Sequence, residues 1–452
     1  MKKSLRMPYL VSHIFTFLFS FTILLSSSLH AQTYTDNASS YGGVWGPTNP
    51  NNSNSCSNVG FGDWIFSYGA NSGTFIGNPS DNGMGITGIG TTAFGMYATG
   101  SQYCSAYRSI RGGMQIGDAL IFYWAMNFDA GAGSKGFEFR NVFTNVFNVN
   151  NTGSATITTT NGTAFTAYGT TPMLVTLTRI SSSAYNFSMT ARDGGSTYTT
   201  TINSSTTIDG INFYIGNQND PAAQKNIYIN AFQLLKPRYR SSASGNWTDP
   251  AVWQISTNGG SSWSAASSAP SGTYDAITVQ NGHSITLNTS ASIGSLVIDA
   301  GGTFNNGTAQ TLTMAACNAT ITNNGTFNRN TGTVTFSSTG TIAGTIGFYN
   351  VAIAGGVNFG SSSTINNQLQ INPGGFVSAA SPTYATGSTL IYNTGASTFN
   401  RGNEWSDNLT KQPHHVRVNA GATLNLDTLV SYDGEGRSML GDLELYGTLT
   451  MG

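Results

Sequence analysis

Between residues 33 and 237 apolar and polar residues alternate in short runs. The clearest, Tyr185-Asn186-Phe187-Ser188-Met189-Thr190, switches at every position. Successive side chains of a strand point to opposite faces, so this alternation predicts a strand with one face buried. Leu174 to Thr178, Ile211 to Ile215 and Ile227 to Leu234 read as further strands. Ala119 to Met126 is a continuous apolar run, as expected of a central strand covered on both faces. Gly, Asn, Asp and Ser punctuate the runs, and no helical period is sustained. Two packed antiparallel sheets, a β-sandwich over 33–237, satisfy that pattern.

At Lys236-Pro237-Arg238-Tyr239-Arg240, followed by a Ser-rich run, the chain gathers basic residues that are otherwise scarce. Residues 238–245 are therefore expected to be a linker, with an edge strand running into the next unit as the alternative. From 246 to 452 the rhythm changes. Short strands such as Ser284-Ile285-Thr286-Leu287, Thr311-Leu312-Thr313-Met314 and Thr333-Val334-Thr335-Phe336 alternate with Gly-rich corners marked by Gly302, Gly325, Gly356, Gly375, Gly421 and Gly447. An irregular repeat of this kind predicts a parallel β-helix whose coils stack at about 4.8 Å. Apolar residues would point inward and Thr or Ser outward. Asn-Asn-Gly at 305–307 and 323–325 suits corners that need left-handed backbone. A second Gly-rich sandwich is the competing reading. The whole is an all-β chain.

Composition narrows the function classes. Of 452 residues only 8% are charged, and the net charge is −1, so a basic nucleic-acid surface is excluded. With 39% hydrophobic and 12% aromatic residues, core formers are plentiful. Lys2, Lys3 and Arg6, an apolar run from Ile14 to Leu25, and small residues ending at Ala31 predict a signal peptide over 1–31. No later run approaches the ~20 residues of a membrane span, so none is expected after cleavage. The mature protein is read as exported, and either soluble or attached by other means. Export permits disulfides. Cys56 and Cys104 are the expected pair, closing a loop worth roughly 4 kcal/mol, and Cys317 is left without an evident partner.

Catalytic equipment is sparse. The first half holds one glutamate, Glu138, read as a solvent-facing or paired charge. From Gly301 to Asn403 there is no Asp, Glu, His or Lys. Ionisable residues gather late: Arg401, Glu404, Asp407, Lys411, His414, His415, Arg417, Asp427, Asp433, Glu435 and Asp442. A charged loop leaving the β-helix is the plain reading of them. Adjacent strand residues face opposite ways, so His414 and His415 are not expected to chelate together. His283 is read as structural. Asn217, Asn219 and Asp220 could hold a structural Ca²⁺, or simply form an Asx-rich turn; no other cofactor is expected. Trp45, Trp64, Tyr97, Tyr103 and Tyr107 could stack on sugar rings, since an aromatic face suits pyranose C–H groups, with core burial as the alternative.

Two stretches resemble known families. Gly245-Asn246-Trp247-Thr248-Asp249-Pro250-Ala251-Val252-Trp253, Asp275 to Leu287 and Ser295-Leu296-Val297-Ile298 resemble the opening of the G8-like β-helix module of large secreted Bacteroidetes proteins. That resemblance implies surface or secreted proteins, many exported by the type IX system. The chain stops inside a repeat, at Leu449-Thr450-Met451-Gly452, so a fragment or a covered end is expected. Phe61-Gly62-Asp63-Trp64 and Asp209 to Gly216 with Ile227 to Leu235 resemble concanavalin A-like or laminin-G-like jelly rolls. That likeness implies carbohydrate-binding modules and glycosidases. Three functions follow as expectations. The first is a non-catalytic adhesin that binds an extracellular glycan or surface polymer through the sandwich, with the β-helix as stalk. The second is a polysaccharide hydrolase or lyase. The third is an ice-binding β-helix, suggested by the Thr columns.

Overall fold

A computed structural model describes residues 33–48, 60–81, 85–126, 133–152, 156–166, 171–192, 195–216, 226–406, 408, 411–426 and 439–450. The signal segment, Cys56, Asn217, Asn219, Asp220, Asp407, Asp427, Asp433 and Glu435 lie outside them.

The alternation of the first half becomes fifteen strands: β1 (Thr33–Asp36), β2 (Phe61–Tyr68), β3 (Ser72–Gly77), β4 (Ala93–Ala98), β5 (Tyr103–Ile110), β6 (Ala119–Met126), β7 (Ser134–Asn141), β8 (Thr144–Asn151), β9 (Ile157–Thr159), β10 (Gly162–Phe165), β11 (Met173–Ser181), β12 (Ala184–Ala191), β13 (Thr197–Asn203), β14 (Gly210–Gly216) and β15 (Ile227–Leu235). One sheet runs β13-β12-β11-β6-β15-β4-β3, with β1 also on β15. The other runs β10-β9-β8-β7-β14-β5-β2. Tyr185, Phe187 and Met189 of β12 face inward, as their alternation requires. The core between the sheets is aromatic: Phe122 stacks on Phe232 at 5.3 Å and meets Phe213 edge-on at 5.4 Å. Such pairs add to burial because ring edges and faces carry opposite partial charge.

Strand β15 serves two partners. Ile227 to Ile229 pair with β4, and Phe232 to Leu235 pair with β1. Between them Ala231 takes φ 55° in a bulge. The Asn230 side chain accepts from the Ala38 N–H at 3.1 Å and donates to the Ile89 and Thr92 carbonyls at 2.9 and 2.8 Å. The bulge thus fixes both the N-terminal segment and the 85–92 loop.

After Pro237 the chain enters a β-solenoid of about eight turns beyond residue 276. Its parallel rungs stack in register. One inward column reads Leu312, Val334, Val351, Leu369, Leu390 and Val416, all with at most 1% exposure, which makes it a continuous dry core. Asparagine ladders climb the outside: Asn328 donates to Asn305 at 2.8 Å, Asn393 to Asn372 at 3.1 Å and Asn419 to Asn393 at 3.2 Å.

Three sequence expectations change here. The segment expected as a linker is structured. Arg238–Ser241 is a strand, antiparallel to Trp253–Ser256 and parallel to Ala276–Val279. Its Arg-Tyr-Arg-Ser alternation buries Tyr239 and Ser241, while Arg240 turns out to lie 4.4 Å from the Trp263 ring centroid. The corner glycines are selected by stacking as well as by backbone handedness. Gly307 has φ 65°, as the left-handed reading requires. A Cβ on Gly325 would instead lie 2.4 Å from the carbonyl oxygens of Asp299 and Gly302, on the rung below. Gly325→Ala must push two rungs apart, and a loss of about 1–3 kcal/mol in urea unfolding is expected; an unchanged midpoint would contradict the stacking account. Finally, the expected Cys56–Cys104 bridge does not form, because Cys104 is a free thiol, buried on the inner face of β5. Burial pushes its pKa up to about 12, so it is unreactive. Cys317, expected to be alone, is disulfide-bonded.

Candidate functional site

The outer face of the seven-stranded sheet is built from alternate residues of β2, β5, β14, β7 and β8. Ile65, Tyr107, Asn212, Glu138 and Asn148 form one row across the strands. The next row is Ser67, Ser105, Tyr214, Gly136 and Asn150. Tyrosines and glycines are matched across it. A Cβ on Gly210 would lie 2.2 Å from the Tyr107 Oη, and one on Gly136 would lie 2.4 Å from the Tyr214 Oη. Tyr103 sits directly opposite Gly216. Only glycine leaves room for a ring to lie down on the neighbouring strand, a pairing that places the ring along the sheet.

Polar groups hold these rings. The Tyr107 hydroxyl reaches the Asp209 carboxylate at 3.3 Å, and that carboxylate also accepts from the Val142 N–H at 2.7 Å. The Tyr214 hydroxyl donates to Asn150 Oδ1 at 2.9 Å and accepts from the Asn148 amide at 2.9 Å. Burial, aided for Tyr107 by the Asp209 charge, pushes both phenols up to about 12. They stay neutral donors at physiological pH. Tyr103, 53% exposed, shares a hydrogen bond of 3.2 Å with Ser67. Asn212, between Tyr107 and Glu138, has no side-chain hydrogen bond among the described residues. Glu138 accepts from Arg140 Nε at 2.6 Å, the paired charge expected of it.

Of the five aromatic candidates, the structure brings two together here. Trp45 and Trp64 are 2% exposed, so neither can stack on a ligand. They pack on each other at 5.0 Å in the core. The Trp64 Nε1–H donates to Asp36 Oδ2 at 3.2 Å, where Asp36 pairs with the buried Arg108 at 2.6 Å. Tyr97 lies on the other sheet, opposite Gly73. Tyr214, Asn212, Asn148 and Asn150 join this face without any sequence signal that singles them out.

The late ionisable group is split. Glu404 is fully buried in the solenoid, where Oε1 accepts from the Gly402 N–H at 2.7 Å and the Tyr392 hydroxyl at 3.1 Å. Burial raises its pKa, and those donors with Arg401 oppose the rise. Arg417 pairs with Glu444 at 2.5 Å on the outer surface, away from that interior. His414 and His415 do meet, ring centroids 4.5 Å apart, because His414 precedes the strand His415–Val418 and escapes its alternation. The His415 Nδ1 is occupied by the Asp442 N–H at 2.9 Å. Among the described residues no three His, Cys, Asp or Glu side chains gather in a metal-holding group. His283 Nδ1 bonds to Ser241 Oγ at 2.9 Å inside the first coil, a structural role. The Thr columns are short: Thr311 and Thr313 stack on Thr333 and Thr335, but the next rung carries Asn350 and Ala352.

No family model matches the chain, and no curated protein matches it. Matching solved structures include lectin II from Ulex europaeus, 8% identical over 46% of this chain and 98% of the lectin, with a TM-score of 0.28. The botulinum neurotoxin serotype D binding domain is 11% identical over 38% of this chain and 43% of that chain, at 0.26. A sialidase is 8% identical over 38% of this chain and 16% of its own, at 0.25. This chain thus spans less than half of the sialidase and neurotoxin chains. At such TM-scores the likenesses carry no argument about ligand or activity. No helix among the described residues is long and apolar enough to cross a membrane.

Proposed function

We propose that this is an exported, non-catalytic protein whose sandwich binds an extracellular glycan on the outer face of the seven-stranded sheet, with the solenoid as spacer. One observation carries the reading: Tyr107 and Tyr214 are laid against glycines of neighbouring strands, among Asn amides and hydroxyls, with the exposed Tyr103 on the same face. Rings laid along a sheet offer apolar faces to the C–H groups of a sugar, and the flanking amides suit its hydroxyls. Tyr103 and Tyr107 are four residues apart, about 13 Å along the strand, longer than one sugar ring. An oligosaccharide segment therefore fits better than a monosaccharide. Glu138 is engaged by Arg140 Nε at 2.6 Å, which supports holding over hydrolysis.

The test is binding of the full chain to a panel of plant, algal and bacterial polysaccharides. Tyr107→Ala and Tyr214→Ala are each expected to weaken binding at least tenfold, the loss typical of an anchoring aromatic. Tyr97→Ala, on the opposite sheet, is expected to leave it unchanged. Absence of binding across the panel, or equal loss in all three variants, would remove the reading. Release of reducing sugar by the wild type would favour the hydrolase.

A further inference from the structure

The eight-stranded sheet carries a feature that the tyrosine face does not use. Residues 85–91 cross its outer side and border an open cavity of about 420 Å³, within the range of small-ligand sites. The loop is built onto the sheet. Ile86 and Ile89 pack on Tyr228 and Ala125 in a small second core, and the Asn230 amide holds the Ile89 and Thr92 carbonyls. The cavity is therefore part of the folded sandwich.

Arg192 lines this cavity. Its guanidinium lies 4.8 Å from the Tyr123 ring centroid. The backbone of Gly88 also comes so close that a Cβ there would meet Arg192 Cδ at 3.1 Å, and Gly88 takes φ +88°. The side chain is held between a ring and a loop, yet none of its five N–H groups has a hydrogen bond or carboxylate partner among the described residues. A planar cation fixed in place with its donors unspent is suited to a carboxylate or sulfate, which it grips in two-pronged fashion. The remaining walls combine the apolar Ile86 and Ile89 with the polar Asn78, Ser80, Thr87 and Thr91. Asp81, next to Ser80 in the chain, accepts from the Asn78 amide at 3.0 Å. One cation, several hydroxyl and amide groups and an apolar wall match a sugar ring bearing one oxyanion.

We infer that this cavity is a second ligand site, separate from the tyrosine face, and that it takes an acidic sugar unit through Arg192. The carboxylate of a uronic acid and a sulfate ester share the required chemistry.

Calorimetric titration of the full chain with a trigalacturonate and with a sulfated galactose trisaccharide separates the two sources, with the neutral galactose trisaccharide as control. At least one acidic probe is expected to bind, and more weakly as salt rises. Arg192→Met is expected to lower that affinity tenfold or more, with little change in melting temperature because Met keeps an unbranched side chain over Tyr123. A Tyr107→Ala, Tyr214→Ala double variant is expected to bind the acidic probe as the wild type does. The inference fails if neither acidic probe binds, or if Arg192→Met binds normally. Loss of acidic binding in the tyrosine variant alone would assign the anion to the other face. Failure of neutral polysaccharides to bind would remove the tyrosine reading and leave this one standing.

Discussion

Asp36→Ala is expected to destabilise the sandwich by about 3–5 kcal/mol, the range for breaking a buried ion pair on one side. Asp36 and Arg108 are 0% exposed at the side chain and 2.6 Å apart. Arg108 cannot discard its charge at neutral pH, and its flat faces lie against Phe61 and Trp64, at 5.4 and 5.1 Å. Rings soften a buried cation but do not replace a carboxylate. The variant also takes the acceptor from the Trp64 Nε1–H and from the Tyr41 hydroxyl, which bond Asp36 at 3.2 and 3.1 Å. Besides the β1–β15 ladder and the buried Tyr34, Ala38 and Tyr41, this carboxylate and Asn230 tie β1 and the turn Ala38–Tyr41 to the sandwich. Urea unfolding followed by tryptophan fluorescence reads the loss. A double variant, Asp36→Leu with Arg108→Met, should recover much of it, because apolar replacement of both partners removes the desolvation cost as well as the attraction. If the single change costs under 1 kcal/mol, the pair is not the tie described here.

The limits of the sequence reading are visible in the same residues. The two sheets were legible because β12 and its neighbours alternate cleanly, and the solenoid because its strands and corners recur. Strand parity alone would have sorted the aromatics. In Asp63-Trp64-Ile65-Phe66-Ser67, the polar positions mark the outward side and send Trp64 and Phe66 inward. In Tyr103-Cys104-Ser105-Ala106-Tyr107, the serine marks the side on which both tyrosines stand. The match of Tyr107 with Gly210 and of Tyr214 with Gly136 depends on the register of strands distant in the chain, which composition and spacing do not encode. The Arg108 position broke the inward parity of β5, and a charge at an apolar position is itself a signal of a buried partner. The expected linker failed for a similar reason, since its alternation was outweighed by its charge.

The junction between sandwich and solenoid makes the second large effect one of pH. Asp118 at the start of β6 and Lys236 just after β15 form a buried pair at 2.6 Å. Asp275, from the first solenoid coil, is buried nearby and accepts from the Gly272 N–H at 2.8 Å. Tyr274 packs against both cores, and the Lys236 ammonium lies 5.3 Å from its ring centroid. A second buried carboxylate thus lies within the field of the Asp118–Lys236 pair. Burial is the largest cause that pushes Asp275 up to about 7; the Asp118 charge adds to the rise, while the Gly272 N–H and Lys236 oppose it. Burial raises Asp118 too, against Lys236 and the Gln115 N–H. In the unfolded chain an aspartate titrates near 3.8. Between pH 4 and 7 the folded protein therefore keeps a proton that the unfolded chain has released, and stability falls as pH rises through that window. The melting temperature is expected to be higher at pH 5 than at pH 8. Asp275→Asn keeps the acceptor for Gly272 and removes the charge, so it should flatten this slope and stabilise the protein at pH 8 by on the order of 3 kcal/mol. Thermal unfolding of both proteins from pH 4.5 to 8 decides it. Parallel curves would mean that Asp275 is charged throughout and that the junction tolerates a third ion.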